Sequence, residues 1–343
     1  MIKVLVVDDS NFMRTVIKNI LERDGEIRVV GTAGNGEEAI EKTNSLRPDI
    51  VTLDVIMDGM DGLETLKEIK RKGSARIIMI SAADGKIADL VLRCFEAGAF
   101  TFISKPMGTI STQMGSIARE IVAQVKLAYR AKLKEPKKFF EVKQPKRKKI
   151  SKKSRIGVAI GSSLGGIPSI ENVLMPIREL KCSFFIVQHI LPDFVESLAG
   201  RLDSILSISV KVAEEGEKPR ENVAYIAPGD HHMEIKNGTI ALSRGGRVNS
   251  VRPSADILMS SVADEYGEKS IGIVLSGMGK DGAAGLKRMH DRGALTMAES
   301  ERSCVVFGMP KSAIELGGAD LVVDASEIGS IIEKRVGELE DNG

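Results

Sequence analysis

Apolar residues fall into two alternating patterns along this chain: short unbroken runs, and longer stretches spaced three and four apart. In the first half, the short runs predict strands at Ile2 to Val7, Val29 to Ala33, Ile50 to Leu53, Arg76 to Ile80 and Phe100 to Ile103. Between and after them, Met13, Val16, Ile17, Ile20 and Leu21 keep the helical repeat, as do Ile87, Leu90, Val91 and Cys94, and then Met114, Ile117, Ile121 and Val125. Five strands, each followed by a helix, predict a parallel sheet covered on both faces. The strands are apolar at nearly every position, which fits burial from both sides.

The second half repeats the alternation with different punctuation. Strands are predicted at Gly157 to Ile160, Phe184 to Val187, Ser209 to Val212, Val223 to Ala227, Ile271 to Leu275, Ala294 to Met297 and Leu321 to Val323. Helical spacing covers Phe194 to Leu206, Ala255 to Tyr266, Ala284 to Arg292 and Ile328 to Leu339. One segment departs from the pattern: His232 to Ile235 and Thr239 to Ser243 flank Lys236-Asn237-Gly238, which reads as a β-hairpin. The expected fold class is α/β, with two doubly wound parallel-sheet domains, five-stranded and larger, the second carrying an antiparallel hairpin.

Composition adjusts this picture in three places. A length of 343 residues suits two domains, and 43% hydrophobic with 28% charged residues is an ordinary globular balance. No apolar run reaches the ~18 residues needed to span a bilayer, and Asp8 and Asp9 come too early for a signal peptide. A cytoplasmic protein without membrane insertion is expected. Cys94, Cys182 and Cys304 are odd in number and widely spaced, supporting neither a disulfide framework nor a zinc cluster.

The net charge of +2 conceals an asymmetry. From Ala131 to Lys153, eleven Lys and Arg face only Glu135 and Glu141, so the rest of the chain is acidic. Such a run could bind nucleic acid, but like charges with Pro136 and Pro145 favour a solvated linker. The expected organisation is a first domain at 1–130, a basic linker at 131–153 and a second domain at 154–343.

Ligands of open parallel sheets gather at the carboxyl ends of the strands. Asp8 and Asp9 follow the first strand, Asp54 the third, Ser81 the fourth and Lys105 the fifth. Carboxylates converging from two strands make a hard-oxygen site suited to Mg²⁺, beside which Asp54 could attack a phosphoryl group. Ser81 and Lys105 could bind the phosphoryl oxygens; the plainer alternative is that each residue caps a helix or solvates a loop. This constellation resembles the receiver domain of response regulators, flavodoxin-like in fold, over Met1 to about Tyr129. The matching residues are Asp8-Asp9, Asp54, Ser81-Ala82 and Lys105-Pro106. The resemblance implies phosphorylation of Asp54 by a histidine kinase, and Mg²⁺ held by Asp8, Asp9, Asp54 and the Ile56 carbonyl. It also implies a cis Lys105-Pro106 bond and a switch through Ser81 and Phe102. Asp58 stands where that family usually has proline.

In the second half, Gly161-Ser162-Ser163-Leu164-Gly165-Gly166 joins a strand to a helix and matches the G-x-S-x-G nucleophile elbow. Ser163 could attack a carbonyl; equally, Ser162 or Ser163 could cap the helix, or the glycines could cradle a phosphate. His189 closes the Phe184 strand at the same sheet edge, His231 and His232 lie at the hairpin near enough to line a pocket, and His290 falls at a polar helix end. Asp281 follows the Ile271 strand and could orient His189 or cap its own helix. The chain order Ser, His, Asp disfavours the α/β-hydrolase fold without arguing against the chemistry.

The whole chain also resembles the chemotaxis protein-glutamate methylesterases. The resemblance is carried by Gly161 to Gly166, Gln188 to Pro192, Ala227 to Met233, Arg252 to Asp256 and Leu275 to Gly282. It implies Ser163 as nucleophile, His189 as base, Asp281 as orienter and the Met278 backbone N–H as oxyanion donor, with no cofactor for the esterase step. Leu164 stands where the family usually has threonine. The implied activity is demethylation, and also deamidation, of chemoreceptor side chains by a phosphorylation-activated monomer. A chemotaxis histidine kinase is the expected phosphodonor and nucleic acid is not an expected partner. Two rivals remain at this level: a receiver joined to a DNA-binding output domain, and a serine esterase for small molecules.

Overall fold

A computed structural model of the protein describes residues 1–73, 75–82, 87–105, 114–131 and 154–341. The chain divides into two compact units, Met1–Pro136 and Lys137–Gly343. Most of the basic segment, from 132 to 153, and Pro106 lie outside the described residues.

The first unit alternates β1 (Ile2–Val7), α1 (Asn11–Glu22), β2 (Ile27–Ala33), α2 (Gly36–Leu46), β3 (Ile50–Leu53), α3 (Gly62–Lys72), β4 (Arg76–Ala82), α4 (Ala88–Glu96), β5 (Thr101–Lys105) and α5 (Met114–Arg130). The strands form one parallel sheet in the order β2-β1-β3-β4-β5. The order reverses between β1 and β3, which opens a crevice at their carboxyl ends. Side-chain caps set three helix starts: Ser10, Asn35 and Asp61 each accept a backbone N–H two or three residues inside their helices.

The second unit holds β6 (Gly157–Ser162), α6 (Gly166–Leu174), β7 (Ser183–Gln188), α7 (Val195–Ile205), β8 (Ser209–Val212), β9 (Val223–Ile226), β10 (His232–Lys236), β11 (Thr239–Ser243), α8 (Ala255–Tyr266), β12 (Ser270–Val274), α9 (Ala283–Asp291), β13 (Leu295–Glu299), α10 (Met309–Glu315), β14 (Leu321–Val323) and α11 (Ala325–Asp341). Seven strands make a parallel sheet in the order β14-β13-β12-β6-β7-β9-β8, and β10 and β11 pair antiparallel, as the hairpin pattern predicts. The reversal point is β6, between β12 and β7. The core behind it stacks Phe185 on Tyr225, with Met259, Leu258 and Met309 fully buried. Helix α10 has no counterpart in the sequence prediction: its seven residues, opened by Pro310, are too few to show a periodic stripe. None of the three cysteines is in a disulfide, and all are buried.

Close approach of backbones fixes one glycine of the first unit. A Cβ on Gly62 would lie 2.2 Å from the Asp54 carbonyl oxygen and 2.8 Å from Val55 Cα, both backbone atoms. Gly62→Ala is expected to destabilise this unit by about 1–3 kcal/mol through overpacking, read as a lower unfolding midpoint. An unchanged midpoint would show that the loop after β3 yields freely.

Candidate active site and phosphoacceptor site

Strand register brings the second unit's chemistry together. Ser162 pairs with Gln188 on the neighbouring strand, so the next residues, Ser163 and His189, emerge side by side. The His189 N–H donates to the Ser162 carbonyl at 3.0 Å. On the other flank, the Ser163 N–H donates to the Ser276 carbonyl at 3.0 Å, which sets the β12 loop beside the turn that follows β6. Gly277 permits this proximity, because a Cβ there would sit 2.9 Å from Ser163 Cβ and 2.2 Å from Met309 Sδ.

The two serines differ in employment. Ser162 is fully buried and its hydroxyl donates to Gln188 Oε1 at 2.7 Å, whereas Ser163 is half-buried. Neither caps α6, whose N-cap is Gly165 in a left-handed conformation at φ 75°. Of the three polar side chains, His189 and Asp281 are in contact, Nε2 to Oδ2 at 3.0 Å, and no hydrogen bond joins Ser163 to His189.

Asp281 does not cap its own helix. Helix α9 starts from Gly282 without a side-chain cap. The carboxylate instead crosses to the start of α8, where it accepts the backbone N–H of Ala255 at 2.6 Å and that of Asp256 at 3.4 Å. Ser254 Oγ and Asn249 Nδ2 add bonds of 2.6 and 3.0 Å. Burial pushes the Asp281 carboxyl up, but hydrogen bonds from His189, Ser254 and the Ala255 N–H outweigh it and hold the group below its ordinary range. An ionised carboxylate only accepts, so His189 Nε2 must carry a proton and Nδ1 is left as the basic nitrogen.

The other histidines serve elsewhere. The expectation that His231 and His232 line a pocket is corrected for His232. It is 1% exposed, its Nδ1 accepting from the Ser254 N–H and its Nε2 bonding the Gly246 carbonyl. His290 pairs with Asp320 at 2.9 Å. Met278, reached through the β12 loop, is 52% exposed, and its N–H takes no part in the backbone bonds that tie Gly277 to Val306, Gly308 and Met309. Sequence reasoning missed Ser254 and Asn249 as supports of Asp281, and Gln188 as a brace that also donates to the Ser163 carbonyl at 2.9 Å. Ser254 stands at a helix start, a signal easily read as a local cap.

In the first unit, Asp8, Asp9 and Asp54 present carboxylate oxygens within 4.8 Å of one another. Asp8 and Asp54 are buried, and Lys105 reaches both, at 2.7 Å to Asp8 and at close contact to Asp54. Burial opposes the Lys105 charge, yet the two carboxylates outweigh it and raise this group. Asp8 is pushed up by burial, against the pull of Lys105. Its buried Oδ2 has the Lys105 ammonium as its ionic partner, so a hard cation held by these carboxylates would take over part of that charge compensation. The Ile56 N–H bonds Asp54 Oδ1 at 3.3 Å, Ser81 is buried at the end of β4, and Phe102 is half-buried on β5 opposite Met79.

Comparison with known proteins adds two family matches: CheB methylesterase over residues 158–332 and response regulator receiver domain over residues 4–112. A protein-glutamate methylesterase/protein-glutamine glutaminase of Pyrococcus horikoshii is 42% identical, the match covering 100% of this chain and 95% of that one. Its counterpart in Salmonella typhimurium is 40% identical over 95% of each chain. The crystal structure of the Thermotoga maritima CheB methylesterase catalytic domain is 40% identical and superposes with a TM-score of 0.50, covering 53% of this chain and 98% of that one.

The Asp281 network makes a signed pH prediction. A carboxyl held below its ordinary value contributes stability that is complete above the unfolded value, about 3.9, and is lost as pH falls through the lower folded value. Asp281→Asn should therefore unfold at lower urea than the wild type at pH 7, and the gap should narrow on acidification below about pH 4. A gap that stays constant across that range would sink the assignment of an ionised Asp281.

Proposed function

The chain belongs to the CheB methylesterase family, and we propose that it is a phosphorylation-activated hydrolase of glutamate methyl esters on chemoreceptors, with glutamine deamidation as a second reaction of the same site. The domains are read as a receiver at 1–130, a basic linker at 131–153 and a catalytic domain at 154–343. The observation that carries the hydrolase reading is the His189–Asp281 bond beside a register-paired, uncommitted Ser163.

In this reading Ser163 Oγ attacks the ester carbonyl while His189 Nδ1 takes its proton, and Asp281 stabilises the imidazolium through Nε2. The Met278 N–H faces the developing oxyanion. The proton then passes from His189 to the departing methoxide, releasing methanol; His189 next takes a proton from the water that attacks the acyl carbonyl and returns it to Ser163 Oγ as the glutamate leaves. For a glutamine the leaving group is ammonia, and the acyl-enzyme is the same. No helix among the described residues is long and apolar enough to cross a membrane.

Asp54 is read as the phosphoacceptor, with a chemotaxis histidine kinase as donor. Asp8, Asp9, Asp54 and the Ile56 carbonyl would hold Mg²⁺, which supplies charge masking between carboxylate and phosphoryl group. Lys105 and Ser81 would bind phosphoryl oxygens, and Lys105 must relax its grip on Asp54 to do so. Phe102 would follow Ser81 and change the receiver's face.

Incubation with a small phosphodonor and Mg²⁺ should label the wild type, and Asp54→Asn or a chelator should abolish the label; a labelled Asp54→Asn rejects the assignment.

For the esterase, methanol release from methylated receptor fragments should rise with phosphodonor. Ser163→Ala and His189→Gln should each lower turnover by about three or more orders of magnitude, and the double variant should be little worse than either. Losses that multiply would contradict a shared catalytic unit.

A further inference from the structure

Beneath the two loops that meet at Ser163 lies an acidic residue that the mechanism above does not use. Glu299 ends β13 and is 0% exposed. Its register follows from its neighbour: Ala298 pairs with Val274 of β12, so Glu299 is level with Leu275 and points its carboxyl at the loop beyond. Oε2 accepts the Ser276 backbone N–H at 2.8 Å, and Oε1 accepts Ser303 Oγ at 2.7 Å.

Ser276 is the hinge point of the site. Its carbonyl accepts the Ser163 N–H at 3.0 Å, and its Oγ donates to the Leu164 carbonyl at 2.8 Å while accepting the Val306 N–H at 3.0 Å. Every polar group of Ser276 is thus engaged, and three of the four partners lie on the nucleophile elbow or on the segment packed behind it. The fourth, Glu299, is the anchor in the interior. Two residues after Ser276 the chain reaches Met278.

We infer that Glu299 is a positioning residue: by holding the Ser276 N–H it fixes the loop bearing Met278 against the elbow bearing Ser163. The inference rests on the reading of Ser163 as nucleophile and the Met278 N–H as oxyanion donor. Attack and oxyanion stabilisation need both loops in one geometry, and a donor displaced by about 1 Å can cost on the order of 10²-fold in rate.

What the site requires at this position is an acceptor, not a charge. Burial pushes the Glu299 carboxyl up against the hydrogen bonds it accepts, none of which comes from a cation. In either protonation state Oε2 can accept from Ser276. Ser303 Oγ already accepts the Ala325 N–H at 3.0 Å and can also receive a donor from the Glu299 side. A glutamine satisfies the same pair, with its carbonyl toward Ser276 and its amide toward Ser303. A methionine fills the same volume and offers Ser276 no comparable acceptor.

The test uses full-length protein with phosphodonor, methanol release from methylated receptor fragments, and amide hydrogen exchange at Ser276. Glu299→Gln should keep kcat within about threefold of the wild type. Glu299→Met should lower kcat about 10- to 100-fold with KM within about twofold, and Ser276 should exchange faster. If Glu299→Met does not fold, Glu299→Asp, whose carboxylate is drawn back by one methylene, carries the same expectation. A folded Met or Asp variant with wild-type kcat overturns the inference, as does a Gln variant as impaired as the Met variant. Absence of methanol release from the wild type would instead overturn the hydrolase reading itself.

Discussion

The catalytic half of this protein depends on a carboxylate placed at the start of a helix to which it does not belong. Asp281 stands at the end of one strand-to-helix loop and satisfies the first backbone donors of α8. Those donors would otherwise be unpaired in the interior, and the positive end of the helix dipole favours a charged acceptor. Together with the bonds from His189 and Ser254, this interaction holds the Asp281 carboxyl below its ordinary range and ties α8 to the sheet. His232 and Asn249 complete the arrangement from the hairpin side, one through Ser254 and the other through the carboxylate itself. Folding and chemistry share the same bonds here.

The alternation of apolar runs and helical spacing was enough to read the sheets, because buried parallel strands leave an almost unbroken apolar signature. Most strand ends agree within two residues, and the hairpin was visible in Lys236-Asn237-Gly238. Strand order was not legible: nothing local in Gly157 to Ser162 tells that this strand lies between β12 and β7. The short helix at Met309–Glu315 escaped for a related reason, since its seven residues bury Met309 and Ala313 without completing a stripe.

The candidate site residues could be singled out because they sit at strand ends beside glycines, where sequence punctuation is strongest. Their supports were not. Asp281 and Ser254 each look like local caps, and only the fold reveals that one caps the other's helix. Glu299 falls two residues past the predicted end of its strand, and its burial follows from the Ser303, Ser276 and Ser169 groups gathered around its carboxyl. A contact between residues far apart in sequence leaves no periodicity to detect.

The register between β6 and β7 has a consequence for how such a site tolerates disturbance. Because Ser163 and His189 each lie one residue past a hydrogen-bonded pair, their separation is set in whole steps of the pleat. A slip of one residue would send His189 to the opposite face of the sheet, so no small, graded misalignment of the strands is available. Heating or a nearby substitution can stir the side chains, but the backbone either keeps this pairing or abandons the sheet. The alignment of Ser163 with His189 is in that sense digital, and it should persist until the pairing of β6 with β7 is lost.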